Sequence, residues 1–367
     1  MRPIDRRRFL KAAGAGFAAA LAPAARAAVE EADAVFATAF QRRDGAYGVA
    51  LLSEAGKMLF AVDLPERGHD IAFDPVHRKA VAFARRPGTF AVVFDHAADK
   101  PPLTIMSVEG RHFFGHGVFS PDGRLLYATE NDFEAAAGMI GVYDATDGFR
   151  RLGEFPTRGM DPHELLLMPD GRTLAVANGG IETHPDFGRA KLNLSTMKPS
   201  LVFLDRETGG LIEKHALAPA LHQLSIRHMD LDAAGTVWFG CQYEGPAGDR
   251  PPLVGRARPG EEVALLDLPP EVLAGLRNYI GSVAANPAAG TVAVSSPQGN
   301  SLAVIDVADG KVRATRALSE VCGLAPDGGA FLATSGTGTV LAPSGARAEV
   351  PDIAWDNHLL RIDRWPG

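Results

Sequence analysis

The sequence predicts an all-β protein, a seven-bladed β-propeller whose ring is closed by strands from both ends of the chain. Three observations point to this class: a repeated strand–turn–strand unit, many turn residues and few helix-favouring runs. Of the 367 residues, 40 are glycine and 26 are proline, and both are scattered along the chain. Hydrophobic residues make up 46% and charged residues 22%, which permits a sizeable core and argues against disorder.

The repeated unit is a short apolar strand, a turn such as Pro-Asp-Gly, and a second apolar strand. Clear copies run over residues 116–129 and 163–177. A third strand and usually a fourth follow, so each unit of roughly 40–60 residues matches a four-stranded propeller blade. Six units are complete, and their innermost strands begin near residues 69, 116, 163, 228, 281 and 321. The stretch Asn178–Pro199 reads as a loop inserted into the third unit.

The two ends of the chain supply the seventh blade. Residues 34–39, 47–53 and 57–63 read as three strands without an innermost partner, and residues 358–363 read as an innermost strand without outer partners. Joining them closes the ring and removes exposed sheet edges. We therefore predict one domain over residues 28–367. A pair of β-sandwiches is the alternative, although it does not require such regular spacing.

The first 27 residues are typical of an export signal. Arg6 and Arg7 precede Phe-Leu-Lys, a mild apolar run covers Ala12–Leu21, and an Ala-x-Ala cleavage site follows at Ala25–Ala27. The paired arginines match the twin-arginine (Tat) signal, and the apolar run is too short to span a bilayer. We expect residues 1–27 to be removed and the mature protein, which shows no membrane span, to be periplasmic. The Tat route carries folded proteins, often with a metal or cofactor already bound.

Composition and motifs exclude several classes of function. The net charge is −7, and the mature part contains no cluster of lysine and arginine, so the sequence argues against nucleic acid as a partner. The chain contains no GxSxG, P-loop or HExxH motif, and no CxxCH for a covalently attached haem. Cys241 and Cys322 suit an oxidising compartment, but their spacing does not decide whether they form a disulfide.

Five of the 11 histidines occupy the same position in the repeat, at the start of an innermost strand. They are His69, His116, His163, His228 and His358. Innermost strands line the central channel of a propeller, so these side chains are expected to converge at one mouth of it. Imidazole is a good ligand for iron, copper, zinc or nickel. A single histidine at a strand start usually serves as a hydrogen-bonding residue, and the shared register is what favours a metal site.

The loops after the second strands are expected to open on the same face as the histidines. Carboxylates and amides there could orient the imidazoles or complete a coordination sphere. The candidates for this surrounding layer are Glu130, Asn178, Glu182, Gln242 and Glu244. Glu130 and Glu244 are the preferred carboxylates, because each directly follows a strand next to a histidine-bearing strand.

The segments at 68–73 (Gly-His-Asp-Ile-Ala-Phe), 115–123 and 161–165 (Asp-Pro-His-Glu-Leu), with the Tat signal, resemble an uncharacterised bacterial family. Its members are Tat-exported propellers of the YVTN/WD40-like type, and the resemblance covers essentially the whole mature chain. Such proteins tend to be encoded beside imelysin-type iron proteins and di-haem oxidoreductase-like proteins. The resemblance therefore implies periplasmic iron or copper handling, with other periplasmic metal-handling proteins as partners. It implies no role for any individual residue.

Three functions remain open on the sequence alone. The favoured one is a periplasmic metal-binding propeller in metal uptake or redox handling, with iron or copper rather than a structural zinc ion, which cysteines usually hold. The second is an enzyme of lactonase or hydrolase type, with the histidines as acid–base groups and a carboxylate-held cation. The third is a metal-free scaffold for a protein partner. Propellers host all three, so the fold does not choose among them.

Overall fold

The computed structural model describes residues 34–95 and 101–363, so the predicted signal at residues 1–27 lies outside the described part. The described strands form seven antiparallel sheets arranged as the blades of a propeller. This confirms the all-β, seven-bladed fold that the repeat predicts. Blades 1 to 6 follow one another along the chain, and in each of them the strands run in sequence order from the innermost to the outermost.

The strands of the first three blades are as follows. Blade 1 contains β4 (Gly68–Asp74), β5 (Lys79–Ala84), β6 (Phe90–Asp95) and β7 (Leu103–Met106). Blade 2 contains β8 (Arg111–Phe119), β9 (Leu125–Asp132), β10 (Ala137–Asp144) and β11 (Arg150–Pro156). Blade 3 contains β12 (Pro162–Leu167), β13 (Thr173–Asn178), β14 (Ser200–Asp205) and β15 (Leu211–Ala216).

The next three blades have the same plan. Blade 4 contains β16 (Leu224–Leu231), β17 (Val237–Tyr243), β18 (Val254–Ala257) and β19 (Ala264–Leu265). Blade 5 contains β20 (Ser282–Asn286), β21 (Thr291–Ser296), β22 (Ser301–Asp306) and β23 (Val312–Ala317). Blade 6 contains β24 (Val321–Asp327), β25 (Ala330–Ser335), β26 (Thr339–Leu341) and β27 (Arg347–Glu349).

Blade 7 combines strands from both ends of the described chain. Its N-terminal strands are β1 (Ala34–Arg42), β2 (Tyr47–Ser53) and β3 (Met58–Leu64), and its C-terminal strands are β28 (Ile353–Trp355) and β29 (Leu360–Asp363). Strand β1 pairs with both C-terminal strands, with Phe40 opposite Trp355 and Ala37 opposite Leu360. The innermost strand expected over residues 358–363 is observed as β29, and a second short strand, β28, precedes it and is separated from it by a break.

Helices are few in the described residues. One α-helix, α1 (Pro270–Leu276), lies between blades 4 and 5, and short 3₁₀ turns occur at Pro185–Phe187, Leu194–Thr196 and Pro219–Leu221. Within the described ranges, no helix combines the length and apolar character needed to cross a membrane.

The core lies between neighbouring blades, and strand composition follows from that placement. Strands β13 and β14 are buried at every position, and they read as continuous apolar runs because other blades cover both of their faces. The outermost strand β15 instead alternates between exposed and half-buried residues, because one of its faces meets water. The Pro-Asp-Gly turns end in glycines with positive φ, +67° at Gly123 and +65° at Gly171, a backbone region that favours glycine.

Candidate metal centre

The five register histidines lie together between the innermost strands. Nine of their ten pairs have ring centroids between 4.7 Å, for His358 with His69 and with His116, and 6.5 Å, for His69 with His228. His163 is 4.8 Å from His228 by the same measure. All five are buried, with at most 8% of the residue exposed. We call these five residues the histidine cluster.

Local breaks in strand pairing place these side chains. The regular pairing of the innermost strand with its neighbour shifts between Gly68 and Ile71 in blade 1 and between Phe113 and Gly117 in blade 2. It shifts again at His163 in blade 3 and at His228 in blade 4. His358 lies in the break between β28 and β29. Such irregularities re-aim a side chain out of the regular alternation of a strand, here toward the cluster.

Carboxylates from adjacent blades contact three of the imidazoles. Asp70 Oδ2 is 3.0 Å from His116 Nδ1, Asp356 Oδ1 is 3.5 Å from His69 Nδ1, and Glu164 Oε2 is 3.4 Å from His228 Nδ1. The residues predicted from the sequence to surround the histidines do not include these three carboxylates. The sequence does contain a signal for them: Asp70 and Glu164 each directly follow a cluster histidine, and Asp356 precedes one by two positions. Each carboxylate serves the histidine of the next blade.

Several ring nitrogens of the cluster are buried and make no hydrogen bond. They are Nδ1 of His69, Nε2 of His116, of His163 and of His358, and both nitrogens of His228. A carboxylate can only accept, so Nδ1 of His116 carries the proton toward Asp70 and Nε2 keeps its lone pair. The candidate ligand atoms of His116, His228 and His358 all lie within 4.8 Å of one another. The same limit holds for the group formed by His69, His116 and His163.

His163 differs from the rest because an arginine contacts it. Arg227 Nη1 lies 3.0 Å from His163 Nδ1, and a guanidinium can only donate, so Nδ1 accepts this hydrogen bond. The neutral ring then carries its proton on Nε2, which is buried and has no acceptor. In this arrangement His163 offers the cluster a hydrogen-bond donor rather than a lone pair.

The buried environment keeps the imidazoles of His69, His163, His228 and His358 neutral. Burial lowers the pKa of His69, His163 and His228 well below the ordinary histidine value. For His358, burial lowers the pKa to about 4. Neutral imidazole is the form that ligates a metal ion, so these residues are held in the ligating state at neutral pH.

The five residues predicted to surround the histidines lie in varied places. Glu130 is buried, but its carboxylate accepts from Tyr143 at 2.5 Å and from Arg151 at 2.8 Å, so both oxygens are engaged within blade 2. Asn178 donates to the carbonyl of Thr157 at 3.1 Å.

Of the remaining three, Glu182 and Glu244 lie in loops, whereas Gln242 lies in strand β17. Glu182 is half-buried in the inserted loop, where its backbone N–H donates to Asn193. Glu244 forms an ion pair with Lys191. Gln242 lines a cavity against His69, His163 and His228, and its side chain donates to the carbonyl of Ile280.

The remaining described histidines do not join the cluster. His77 pairs with Asp74 at 2.8 Å, His112 contacts the carbonyl of Phe113, and His215 lies 3.2 Å from Glu213. His96 lies outside the described residues. Cys241 and Cys322 are both free and buried.

The fold and this geometry define a class of protein: a seven-bladed β-propeller with buried histidines gathered between its innermost strands. The chain belongs to the family described as "Protein of unknown function (DUF1513)", whose model matches residues 62–362. No curated protein matches the chain.

Solved structures share the fold at low sequence identity. Hydrazine synthase from Kuenenia stuttgartiensis is 14% identical, with a TM-score of 0.58 over 85% of this chain and 94% of that one. The β-propeller domain of Cps50 (Swd1) from "Myceliophteria_thermophila" is 12% identical, with a TM-score of 0.57 over 89% of this chain and 97% of that one. At such identities the likeness shows the propeller fold alone.

Proposed function

We propose that this protein binds a transition-metal ion, iron or copper, at the histidine cluster, and that it acts in metal uptake or redox handling in the periplasm. The observation that carries the proposal is the presence of two groups of three cluster histidines, each with candidate ligand atoms within 4.8 Å of one another, in a cluster whose buried ring nitrogens largely make no hydrogen bond. Leaving one buried polar group unsatisfied costs about 1–3 kcal/mol. One ion would satisfy several of these nitrogens at once.

His116, His228 and His358 are the proposed ligands, because each has a buried ring nitrogen that makes no hydrogen bond and their candidate ligand atoms lie within 4.8 Å of one another. Asp70 supports this role of His116, since a carboxylate on Nδ1 fixes the tautomer and orients the ring. His69 stands next to His116 and His358 and is the proposed fourth ligand. Three or four imidazoles leave at least one coordination position open on an iron or copper ion, as uptake or redox exchange requires.

The periplasmic setting is part of the proposal and depends on Arg6 and Arg7. Replacing both with lysine should leave the precursor in the cytoplasm, because the Tat machinery recognises the arginine pair. Normal periplasmic levels in a Tat-deficient strain would refute this part.

The metal proposal is tested on protein purified from the periplasm, with iron, copper and zinc measured by mass spectrometry before and after loading. The wild-type protein should hold close to one iron or copper ion, and His116→Ala should lose most of it. His77→Ala is the matched control, because His77 also pairs a buried aspartate through Nδ1 but lies apart from the cluster. Circular dichroism checks that each variant folds.

Two results would refute the metal proposal. One is protein that carries neither ion as isolated and takes up neither on loading. The other is a loss of metal in His77→Ala as large as that in His116→Ala.

A further inference from the structure

A small cavity of about 40 Å³ lies against the histidine cluster. Its walls include His69, His163 and His228 on the side of the cluster. The other walls carry four arginines, which are Arg85, Arg86, Arg189 and Arg227. They come from the loop after β5, from the inserted loop of blade 3 and from β16, so three separate segments deliver positive charge to one place.

The carboxylates nearby do not balance these charges. Asp356 pairs with Arg85 at 3.0 Å and also with Arg67, and Asp161 pairs with Arg227 at 2.9 Å. Arg86 Nη1 is buried without a hydrogen bond, and the Asp161 oxygen nearest to it is 3.9 Å away. Within the described ranges, Arg189 has no ion-pair or hydrogen-bond partner.

Unused donors also face this region. Nε of Arg227, a side chain only 2% exposed, and Nε2–H of His163 are both buried without an acceptor. Buried donors of native proteins are nearly always satisfied. Together with Arg189, which has no partner in the described ranges, and with Arg86, whose ion pair to Asp161 is long at 3.9 Å, they describe a site that can accept a further negatively charged group.

We infer that this cavity binds a small oxyanion, either a carboxylate group or an inorganic anion with the same pair of oxygens. The planar guanidinium fork matches two oxygens of such a group. A single water needs roughly 10–15 Å³ of such space, so the cavity has room for a small ion or for the oxyanion end of a larger molecule.

The inserted loop contributes Arg189 and is held in shape by Asn193. The side chain of Asn193 accepts from the N–H of Glu182 at 2.7 Å and donates to the carbonyl of Gly180 at 3.0 Å. Arg189 therefore lies on a loop that these two hydrogen bonds hold in place beside the cavity. In this inference, the inserted loop contributes to anion binding.

This inference goes beyond the metal proposal, because the four arginines line the cavity whether or not a metal ion is bound. A metal ion in the cluster would add positive charge beside the cavity and strengthen anion binding. The coupling is reciprocal, so the anion would strengthen metal binding by the same factor.

The experiment is calorimetric titration of the full mature chain, metal-free and metal-loaded, with sodium acetate in one arm and sodium sulfate in the other at constant chloride concentration. We expect saturable one-site binding in at least one arm, and the stronger arm identifies the source of the oxyanion. Arg189→Gln should weaken binding about tenfold, the effect of losing one charged hydrogen-bond donor. Arg86→Gln should weaken it similarly.

Arg150→Gln is the matched control, since Arg150 is exposed on β11 and pairs with Asp147. The inference is overturned if neither anion binds either form of the protein, or if Arg189→Gln and Arg150→Gln bind equally well. Arg189 lies on an exposed loop, so its variant should fold. Anion binding without metal binding would refute the metal proposal alone, and metal binding without anion binding would refute this inference alone.

Discussion

At the scale of single residues, the cluster is organised by carboxylates that reach across from the preceding blade. Asp70 holds His116, Glu164 faces His228 and Asp356 faces His69. Each carboxylate lies within two residues of one cluster histidine and contacts the histidine of the next blade. Only the contact of Asp70 is a hydrogen bond, so it gives His116 a defined tautomer and presents Nε2 of that ring in a fixed direction.

His112, outside the cluster, allows a clean test of histidine burial. Burial lowers the pKa of His112 to about 4. Between pH 6.5 and pH 4 the unfolded chain therefore takes up a proton at His112 that the folded chain does not, and stability falls as the pH drops through this range. Relative to His112→Gln, the wild-type free energy of unfolding should fall by about 1.4 kcal/mol per pH unit.

Urea denaturation of metal-free protein from pH 7.5 to pH 4.5 measures this difference. Above pH 7 the difference between the two proteins should be constant, which serves as the internal control. Parallel curves across the whole range would show that His112 does not resist protonation in the folded state.

At the scale of strands, the cluster depends on irregularity in the innermost strands. Strand β20, which has no cluster histidine, pairs regularly with β21 along its whole length. The histidine-bearing strands β4, β8, β12 and β16 all shift register near their histidines. Strand β24 shifts as well, around Cys322. A regular ladder would alternate side chains between the two faces of a blade, whereas the shift turns the imidazole toward its counterparts.

Gly115, in the irregular part of β8, is the glycine on which the position of His69 depends. Its φ is +109°, and a Cβ built there would lie 2.5 Å from His69 Cδ2. Gly115→Ala should therefore displace the His69 ring, lower stability and reduce metal uptake. Gly110→Ala is the control, because Gly110 also has a positive φ of +76° but nothing within 4 Å of the added Cβ.

Both alanine variants carry the backbone cost of a positive φ, about 1–2 kcal/mol. Gly115→Ala should lose about 1–3 kcal/mol more, the usual cost of overpacking. Urea denaturation and metal content measure the two effects. Equal stability and equal metal content in the two variants would mean that the contact with His69 is unimportant.

At the scale of the whole molecule, the blades surround the cluster and the two ends of the chain meet in blade 7. Strand β29 pairs with β1, and Thr38 Oγ1 donates to the carbonyl of His358 at 2.6 Å. Asp356 joins this region to Arg67 and Arg85 near blade 1. These contacts come from opposite ends of the sequence, so the ring and the cluster depend on the same few residues.

Removing the last twelve residues should lower the melting temperature of the entire domain. The truncation deletes β29, the partners of Arg67 and Arg85, and one cluster histidine, and it exposes an edge of β1. Thr38→Val is a graded control that removes only one hydrogen bond, at a cost of about 1 kcal/mol. A truncated chain that melts at the wild-type temperature would show that the C-terminal strand contributes nothing to the ring.

The propeller fold, the number of blades and the shared register of the five histidines can all be predicted from the amino-acid sequence. These features are local, because strand patterns, turn residues such as Gly123 and Gly171, and the spacing of repeats are all written in short stretches of chain. The same reasoning did not predict the break between β28 and β29. His358 lies in this break, where the strand pairing with β1 is interrupted.

The hydrogen bonds and ion pairs around the imidazoles are visible only in the folded protein. Glu130 is a preferred carboxylate on the basis of the sequence, but it accepts hydrogen bonds from Tyr143 and Arg151. Asp70 instead accepts the hydrogen bond from His116. Arg227 sets the proton position on His163, and arginines from three separate segments line one cavity against the cluster. The physical reason is that these contacts join residues of different blades, and the distance between such residues depends on how one blade packs on the next.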